Sequence, residues 1–527
     1  MATILILIPF VVSLFTLVYV FGNLFAGQLG TIANNRLTTT GWESAQSKFE
    51  EERPTFETKF SYYLVKPSQT PEWIAEHFSV SMKTLQALNP GTIVPGTTIK
   101  IPPTESALAP ITVDATVPTT AVIGEENNVI YVENSFRNPR MDLNMPKLME
   151  MLAGYDAVEK VADKHYRITK PISIEENIRL DITGDTARRV ELVSDPDFAI
   201  IALMFRNSDV LIKDSVITTV DRTTNQPDTD YKDGRSFVRA YGNSRMDLVG
   251  SQTSYLGMGI GELNKSRAQD KLGFLAIGGV YGMSWRIPND SYGQTIVAGW
   301  VEDSTFEHNY IGGYTYGASG MTWKNSSFAH NVVYGLDPHD DTNNSTIVGN
   351  TFDRNGKHGF IVSKRCNYNI IKNNVSTNNK GHGYMLHADS GYNVMENNLA
   401  VGNEDNFAIY GSSFNLIRSN KSYVPRGSHI RLNARSHQNY IENNFFYGSD
   451  KGIYAYDNVN GLAIAGNTFF KVRNQLVTAN ANRVLYSNNQ SEQVGYSIPE
   501  QDRVVFGVNN INGNLSADRA ILAKYQK

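Results

Sequence analysis

The sequence predicts an all-β body, a right-handed parallel β-helix, preceded by a small βααβ module and an N-terminal apolar segment. The first observation is a repeat, in which asparagine recurs before short, mostly apolar runs at intervals of 22 to 25 residues. The second is that these intervals accommodate two or three short strands but no ten-residue helices between them. The third is the composition, with 42 Gly and 27 Tyr among 527 residues, which is typical of turn-rich β structure.

The repeat indicates how the body is built. Asparagine opens successive units at Asn325, Asn350, Asn374, Asn398, Asn420, Asn444 and Asn467, and glycine opens a second run at Gly335, Gly359, Gly383, Gly427 and Gly452. If each unit is one coil, identical positions stack about 4.8 Å apart. We therefore expect Asn350, Asn374 and Asn398 to form one internal ladder of amides. A leucine-rich repeat has a similar period, but its leucine framework is absent from the sequence.

The N-terminal segment, residues 4–21, is uncharged and almost wholly apolar. About 18 residues at roughly 1.5 Å each nearly cross a bilayer core, so the segment is a signal peptide or a membrane anchor. No basic residue precedes the segment, and the charges that follow it, Arg36, Lys48 and Arg53, do not favour an exported body by the positive-inside rule. We nevertheless expect export to the periplasm or the cell envelope because of the modules that follow.

Residues 60–103 are predicted to form a strand, two helices and a second strand. The first helix places Ile74 and Phe78 on one face, the second does the same with Leu85 and Leu88, and Asn-Pro-Gly and Pro-Gly turns follow. This pattern resembles a LysM domain, and the resemblance implies binding to glycans that contain N-acetylglucosamine, such as peptidoglycan. The family's usual Gly-Asp-Thr is replaced by Pro-Ser-Gln-Thr, and a structural module without a ligand is the alternative.

Composition and pattern divide the chain into seven predicted segments. They are a signal peptide or membrane anchor (1–25), a linker (26–59), the LysM-like domain (60–103), a linker (104–135), a cap (136–190), the β-helix that carries catalysis (191–495) and a C-terminal cap or tail (496–527). The second linker is rich in Ala, Pro, Thr and Val, which suits an extended spacer.

Charge and cysteine content exclude several classes of protein. The chain has 48 Lys and Arg against 52 Asp and Glu, a net charge of −4, so we expect no nucleic-acid partner. A single cysteine, Cys366, excludes a disulfide within the chain and a cysteine-based zinc cluster. We expect no metal site and no cofactor.

Stacking of the coils predicts a polar column along one face. The positions four residues after the repeating glycine are His339, Ser363, His387, Arg431 and Tyr456, and those five residues after it include Asp340 and Lys364. Titratable side chains on a sheet face are not core residues, and a long face suits a linear polymer. We therefore predict that Asp340, Lys364, His387 and Arg431 bind substrate.

One coil breaks the repeat, because Asp337-Pro338-His339-Asp340 stands where the next coil has apolar residues. Proline cannot donate to a strand ladder, so its presence inside a strand requires a reason. Carboxylates on both sides of His339 are expected to raise the pKa of its imidazole towards neutrality, where it suits proton transfer. Tyr334 is a second proton carrier, which makes His339, Tyr334 and Asp337 the candidate catalytic residues.

These motifs carry a specific resemblance. Tyr-Gly-Leu-Asp-Pro-His-Asp at 334–340, followed one coil later by Lys-His-Gly-Phe-Ile-Val-Ser at 357–363, resembles the mannuronan C5-epimerase family of alginate producers, its periplasmic branch in particular. The resemblance covers residues 195–470. It implies a β-helix that acts on polymeric mannuronate without a calcium requirement, since the calcium-binding nonapeptides of the secreted branch are absent.

The resemblance also implies roles for the site residues. His339 is the base that removes the C5 proton, and Tyr334 is a proton carrier on the opposite face of the sugar. A cation one coil on neutralises the substrate carboxylate. Arg365 is favoured for this task because its fork is bidentate, and the adjacent Lys364 is the alternative.

Three functions remain open from the sequence. The leading one is C5-epimerisation of D-mannuronate to L-guluronate within an anionic linear polysaccharide. The others are a polysaccharide lyase that uses the same residues for β-elimination, and a glycan-binding protein of the cell surface without catalysis. The expected partners are the polyuronate, peptidoglycan through the LysM-like module, and an exopolysaccharide secretion complex.

Overall fold

A computed structural model describes residues 39–525 of the chain, except for a set of short gaps and one longer one. The gaps are 57–59, 68, 114–120, 136–137, 195–199, 260–278, 290, 293–294, 514 and 518. The predicted signal peptide or anchor lies outside the described residues. Within the described part of the chain, no helix is long and apolar enough to cross a membrane.

The body is a parallel β-helix of three sheets, as predicted. Strands Val129–Glu133, Ile172–Glu175, Ala202–Arg206, Phe237–Tyr241, Gly282–Arg286, Ile311–Tyr316, Leu336–His339, Phe360–Ser363, Tyr384–His387, Phe407–Tyr410, Ser428–Asn433 and Tyr496–Ser497 belong to the first sheet, which we call the groove sheet. The second sheet contains Met141–Asn144, Ile178–Thr183, Asp209–Lys213, Arg245–Val249, Trp300–Glu302, Thr322–Lys324, Thr346–Val348, Ile370–Lys372, Val394–Glu396, Leu416–Arg418, Tyr440–Glu442 and Val504–Phe506.

The third sheet contains His165–Ile168, Arg189–Ser194, Val216–Asp221, Gln252–Ser254, Thr305–Glu307, Ser327–Ala329, Thr351–Asp353, Val375–Thr377, Leu399–Val401, Lys421–Tyr423, Gln490–Ser491 and Asn510–Ile511. Two long strands, Phe445–Ala465 and Thr468–Ser487, run through all three sheets. At the N-terminal end, Val122–Glu126 and Val158–Ala162 add antiparallel edges.

Asparagine ladders hold the turns of the coils together, as the repeat predicts. The backbone N–H and the side-chain amide of Asn350 both donate to the Oδ1 of Asn374, at 2.8 and 3.1 Å, and Asn374 donates in the same way to Asn398. The amide of Asn374 also donates to the carbonyl of Ile347. Each buried amide is therefore satisfied by the coils on either side, which makes the turn stable only within a stack.

Two further asparagine ladders, which we did not predict, occupy the other turns. One runs through Asn331, Asn355, Asn379 and Asn403, and the other through Asn369, Asn393, Asn415 and Asn439. Between the ladders the inward side chains are aromatic and aliphatic and form one continuous core along the coils. All three turns of the repeated coils are thus held by ladders of buried asparagines.

The β-helix begins upstream of the predicted boundary at residue 191. Strands of the predicted cap, 136–190, pair in parallel with one another and with later coils. The longer turns of these first coils hide the 23-residue period, which is why the sequence suggested a separate cap. The short helix Met145–Met151 packs Met145 and Leu148 into the main core.

The C-terminal boundary also lies later than predicted. Within 496–527, three short strands continue the parallel pairing, and the helix Arg519–Tyr525 follows them.

The N-terminal module has the predicted βααβ order. Strands Ser61–Leu64 and Thr98–Ile101 pair antiparallel around the helices Pro71–His77 and Met82–Leu88. The module lies against the second sheet, where Ile296 and Ala298 of the β-helix join its apolar core. It is docked on the body and is not suspended from it.

Polar contacts at this interface are buried. Nδ1 of His77 lies 3.0 Å from Oδ1 of Asp209, and the carbonyl of His77 accepts a 2.8 Å hydrogen bond from Arg245. Arg245 in turn pairs with Asp247 at 2.8 Å, with both side chains fully buried. Removing one partner would leave a buried charge without its counter-charge. The module is therefore held at one position on the second sheet.

The described parts of both predicted linkers contact the β-helix, and the end of the second linker, Val129–Glu133, is already a strand of the groove sheet. In 26–59, the helix Thr39–Glu51 packs Phe49 beside Tyr440, and Arg53 pairs with Glu442 at 2.7 Å. In 104–135, backbone N–H groups near residues 108 and 111 donate to buried aspartates of the β-helix. Composition alone suggested spacers because these segments lack a repeat of their own.

Candidate active site

The groove sheet presents two columns of outward side chains. The first, which we call the histidine column, consists of Tyr316, His339, Ser363, His387, Tyr410 and Asn433. The second, which we call the aspartate column, consists of Tyr314, Asp337, Ile361, Met385, Ala408 and Arg431. Residues that alternate with them along the strands, such as Leu336 and Val362, point into the core.

Pro338 interrupts the groove sheet at the predicted place. Leu336 pairs with Phe360 and His339 pairs with Ser363, but no pairing joins the two residues between them. Because proline has no backbone N–H, the ladder is lost here on the side of the next coil. The break lies where the acidic and imidazole side chains face outward.

His339 is held by the carboxylate that follows it. Its Nδ1 lies 2.6 Å from Oδ2 of Asp340, and its side chain is 20% exposed. The pKa of His339 is lowered, chiefly by burial, although the charge of Asp340 acts in the opposite direction. The predicted rise in this pKa is therefore wrong, because desolvation outweighs the neighbouring carboxylate. A neutral imidazole at pH 7 has a lone pair free to accept a proton.

Asp337 is a buried acid in the groove floor. It is 3% exposed, and one of its carboxyl oxygens has no hydrogen-bond partner among the described residues. Burial first, and then the charge of Asp340, raise the pKa of Asp337 to about 8. The carboxyl is therefore protonated at neutral pH and can donate a hydrogen bond or a proton.

Two cations lie beside Asp340. Arg365 donates to Asp341 at 2.7 Å and to Asp340 at 3.2 Å, while Nζ of Lys364 lies 3.7 Å from Asp340. The strand ends at Ser363, and Lys364 and Arg365 have positive φ values of 67° and 58°. Lys364 and Arg365 therefore belong to a turn and not to the strand, and both side chains reach the acidic cluster from this turn.

Tyr334 lies in the wall of the groove, one turn before the strand. Its ring stacks on His358 at 5.3 Å, and His358 stacks on His382 at 4.8 Å. The Oη of Tyr334 accepts a 3.2 Å hydrogen bond from Lys357. The structure therefore places Tyr334 in a stack of wall residues and not against the imidazole of His339.

The register corrects the prediction for Arg431. It stacks on Ala408 in the aspartate column, whereas we placed it in the column of His339. The error arises because the strand residues stacked on Phe360 and Tyr384 are Phe407 and Ile430, so Gly427 is not equivalent to the earlier glycines.

Arg431 instead belongs to a network in the wall. Its Nη2 lies 2.7 Å from Nε2 of His382 and its Nε lies 3.2 Å from Asp405. His387 does stack on Ser363 as predicted, and its Nδ1 lies 3.0 Å from the hydroxyl of Ser363.

The sequence analysis missed two residues of the site, Tyr314 and Asp341. The ring of Tyr314 lies 5.6 Å from that of His339, and its pKa is raised well above the usual value, mainly by burial. A signal was present, since Gly312 lies 23 residues before Gly335 and begins the same kind of strand. Asp341 carried no signal, because its role depends on Arg365 in the next coil.

Comparisons with known proteins agree with this architecture. Residues 291–400 match the family model for a right-handed beta helix region, and residues 354–502 match that for the periplasmic copper-binding protein NosD. Part of the chain is 28% identical over 170 residues to a mannuronan C5-epimerase of Pseudomonas putida, covering 31% of this chain and 30% of the relative. The mannuronan C5-epimerase AlgG of Azotobacter vinelandii is 40% identical over 67 residues, 12% of this chain and 13% of that protein.

The chain resembles mannuronan C5-epimerases. The matched regions span less than a third of these curated relatives. The crystal structure of the periplasmic alginate epimerase AlgG has a similar fold, with a TM-score of 0.55 at 18% identity over 90% of this chain and all of that one. The predicted resemblance and the predicted fold are confirmed.

Proposed function

We propose that this chain is a C5-epimerase that converts D-mannuronate to L-guluronate residues within a polymeric, alginate-like uronan. The observation that carries the proposal is the juxtaposition of a neutral, carboxylate-held His339 with the protonated acid Asp337 and the cations of the next coil. The similarity of the chain to mannuronan C5-epimerases supports the same reaction.

His339 acts as the base in this proposal. The Asp340 carboxylate lies 2.6 Å from Nδ1 and favours the tautomer with its proton on Nδ1, so that the lone pair is on Nε2. The C5–H bond of the uronate breaks, its proton passes to Nε2, and the electron pair spreads into the C6 carboxylate. Asp340 then stabilises the imidazolium that forms.

The anion formed at C5 and C6 needs neutralisation, because the C5 proton is very weakly acidic. Arg365, with Lys364 beside it, supplies positive charge next to His339. Asp337, neutral because of its raised pKa, donates a hydrogen bond to the carboxylate without repelling it. Stabilisation of developing charge by groups already in place is often the largest single contribution to catalysis.

A proton must return to C5 from the opposite face of the ring. Tyr334 in the groove wall is the proposed donor, with Lys357 bonded to its phenol oxygen to stabilise the phenolate. Tyr314, which lies nearer to His339, is the alternative donor. Each is replaced by Phe, and both deuterium uptake at C5 and guluronate formation are measured. Loss of the donor should stop guluronate formation but leave deuterium uptake into mannuronate, because C5 proton abstraction is still allowed.

The function is tested by incubating the full chain with polymannuronate in deuterated buffer. Proton NMR signals of guluronate, with deuterium at C5, are the expected result. Absorbance in the unsaturated uronate band without guluronate would instead identify a lyase. Binding of the polymer without either product would identify a glycan-binding protein and overturn the enzymatic proposal.

We propose a periplasmic location, because the alginate epimerase AlgG and the copper-binding protein NosD, which parts of this chain resemble, are both periplasmic. The βααβ module is proposed to bind peptidoglycan, which sedimentation of the full chain with insoluble peptidoglycan tests. An exopolysaccharide secretion complex remains the proposed partner through which the polymer arrives.

A further inference from the structure

The groove continues past the candidate catalytic residues towards the C-terminal coils. One step along the histidine column is about 4.8 Å, so Tyr410, three coils after His339, lies about 14 Å from it. The Tyr410 side chain is 42% exposed, which is unusual for a large aromatic residue on this body. Its ring lies against His387, with ring centroids 5.2 Å apart. An exposed, laterally supported ring is a suitable platform for a sugar.

The next positions in the column are polar and aromatic. Asn433 pairs with Tyr410 in the strand register, and its amide nitrogen donates a 2.9 Å hydrogen bond to the hydroxyl of Tyr456. Tyr456 in turn stacks on Tyr454 at 4.5 Å. The side chains beyond Tyr410 are therefore held in place before any ligand arrives.

Asn433 carries the second, independent observation. The residue is 8% exposed, yet its Oδ1 has no hydrogen-bond partner among the described residues. A buried carbonyl oxygen without a partner is costly, and elsewhere in these coils every ladder asparagine is satisfied. A hydroxyl group of a bound ligand would satisfy it.

The floor between this region and the catalytic residues is apolar. Ile361, Met385 and Ala408 form a buried cluster along the aspartate column, with Tyr334 packed against it. This strip carries no charged side chain, so it does not compete for the cations near His339. A bound chain would run from His339 to Tyr410 along the histidine column.

We propose that Tyr410, Asn433 and Tyr456 form a distal sugar-binding subsite, about three coils from His339, that holds a pyranose ring of the same polymer chain. The ring stacks on Tyr410, and one of its hydroxyl groups donates to Oδ1 of Asn433. A residue of a 1,4-linked pyranose chain is about as long as one coil step, so the subsite takes the residue about three places from the reacting one. This inference rests on the proposed function and adds a determinant of chain length.

The test uses a series of oligomannuronates of increasing length and the full chain. Wild-type KM should fall with length until the oligomer reaches Tyr410. In Tyr410→Ala, KM for polymannuronate should rise about fivefold to twentyfold with kcat unchanged, and the gain from the longer oligomers should disappear. Tyr410→Phe keeps the ring and should retain most of the affinity, while Asn433→Ala should raise KM by a smaller factor.

Tyr392→Ala is the matched control, because Tyr392 also stacks on an aromatic ring, Phe414 at 5.2 Å, but lies in a turn outside the groove sheet. It should leave KM unchanged. If Tyr410→Ala and Tyr392→Ala bind long oligomers equally, the subsite is overturned while the epimerase proposal stands.

Binding measured by calorimetry on the His339→Ala background separates the two proposals, since it needs no turnover. A loss of affinity on adding Tyr410→Ala supports the subsite even if no guluronate is ever formed. Failure of the His339→Ala protein and of wild type to bind oligomannuronate would overturn the polyuronate function and the subsite with it.

Discussion

The regular coils and the coil that carries His339 solve the same packing problem differently. In the regular coils, stacked asparagines such as Asn374 satisfy every turn, and short strands end on apolar inward residues. In the other coil, Pro338 removes part of the strand ladder, and Asp337 is buried with one carboxyl oxygen left without a partner in the described structure. A broken ladder and an unsatisfied buried acid within an otherwise regular stack favour a functional role for this coil.

The largest effect is expected from removing the proposed base, His339, from the irregular coil. His339→Ala should lower the rate of C5 exchange on polymannuronate by a factor of about 10²–10⁴, or about 3–5 kcal/mol of barrier. Its melting temperature should equal that of wild type, because a partly exposed imidazole outside the core contributes little packing. Deuterium exchange at C5 checks the expected loss of activity, and a thermal melt checks the expected stability. If His339→Ala exchanges the C5 hydrogen at the wild-type rate, His339 is not the base.

A substitution in the asparagine ladder is expected to lower stability and leave activity unchanged, the opposite of His339→Ala. Asn374→Ala should lower the free energy of unfolding by about 2–4 kcal/mol, because the N–H groups of Asn350 and the carbonyl of Ile347 lose their buried partner. Activity of the folded fraction should stay close to wild type. Asn373→Gly is the control, since Asn373 is exposed and its φ of 57° suits glycine. Equal denaturation midpoints for the two variants would contradict a stabilising ladder.

The buried acid should make stability depend on pH. The pKa of Asp337 is raised to about 8, so the native state holds a proton that the unfolded chain releases near pH 4. Stability from this group is fully present below about pH 4 and is lost, at about 1.4 kcal/mol per pH unit, as the pH rises to about 8. Asp337→Asn mimics the protonated acid and should remove this slope. The free energy of unfolding of wild type and of Asp337→Asn is measured at pH 5 and pH 8. An equal change in both proteins between these pH values would contradict the prediction.

The smallest expected effect sharpens the role of the cations. Arg365→Lys keeps the charge but loses the bidentate fork, and we expect kcat/KM on polymannuronate to fall about tenfold, or about 1.4 kcal/mol. Lys364→Arg serves as the reciprocal variant and should change kcat/KM by less. If the Lys364 variant is the more impaired, the substrate carboxylate is neutralised by Lys364 and not by Arg365.

Much of this molecule was predictable because a repeat is a local signal. The spacing of Asn350, Asn374 and Asn398 predicted coils, an internal ladder and the stacking of His339 on Ser363 and His387, since each coil repeats the same local chemistry. The same logic failed for Arg431. A glycine at the expected spacing does not define register when the preceding turn changes length, and the strand pairing alone placed it.

By itself, the sequence determined the periodic body, the broken coil and the stacking of His339 on Ser363, because these depend on residue type and spacing along the chain. Only the tertiary structure decided the protonation of the site: His339 and Asp337 are desolvated by residues distant in sequence, so their pKa values move away from what neighbouring charges alone predict. It also decided the docking of the N-terminal module, where Arg245 and His77 meet across 168 positions of chain. Burial and long-range contact are properties of the packed molecule, and no local pattern carries them.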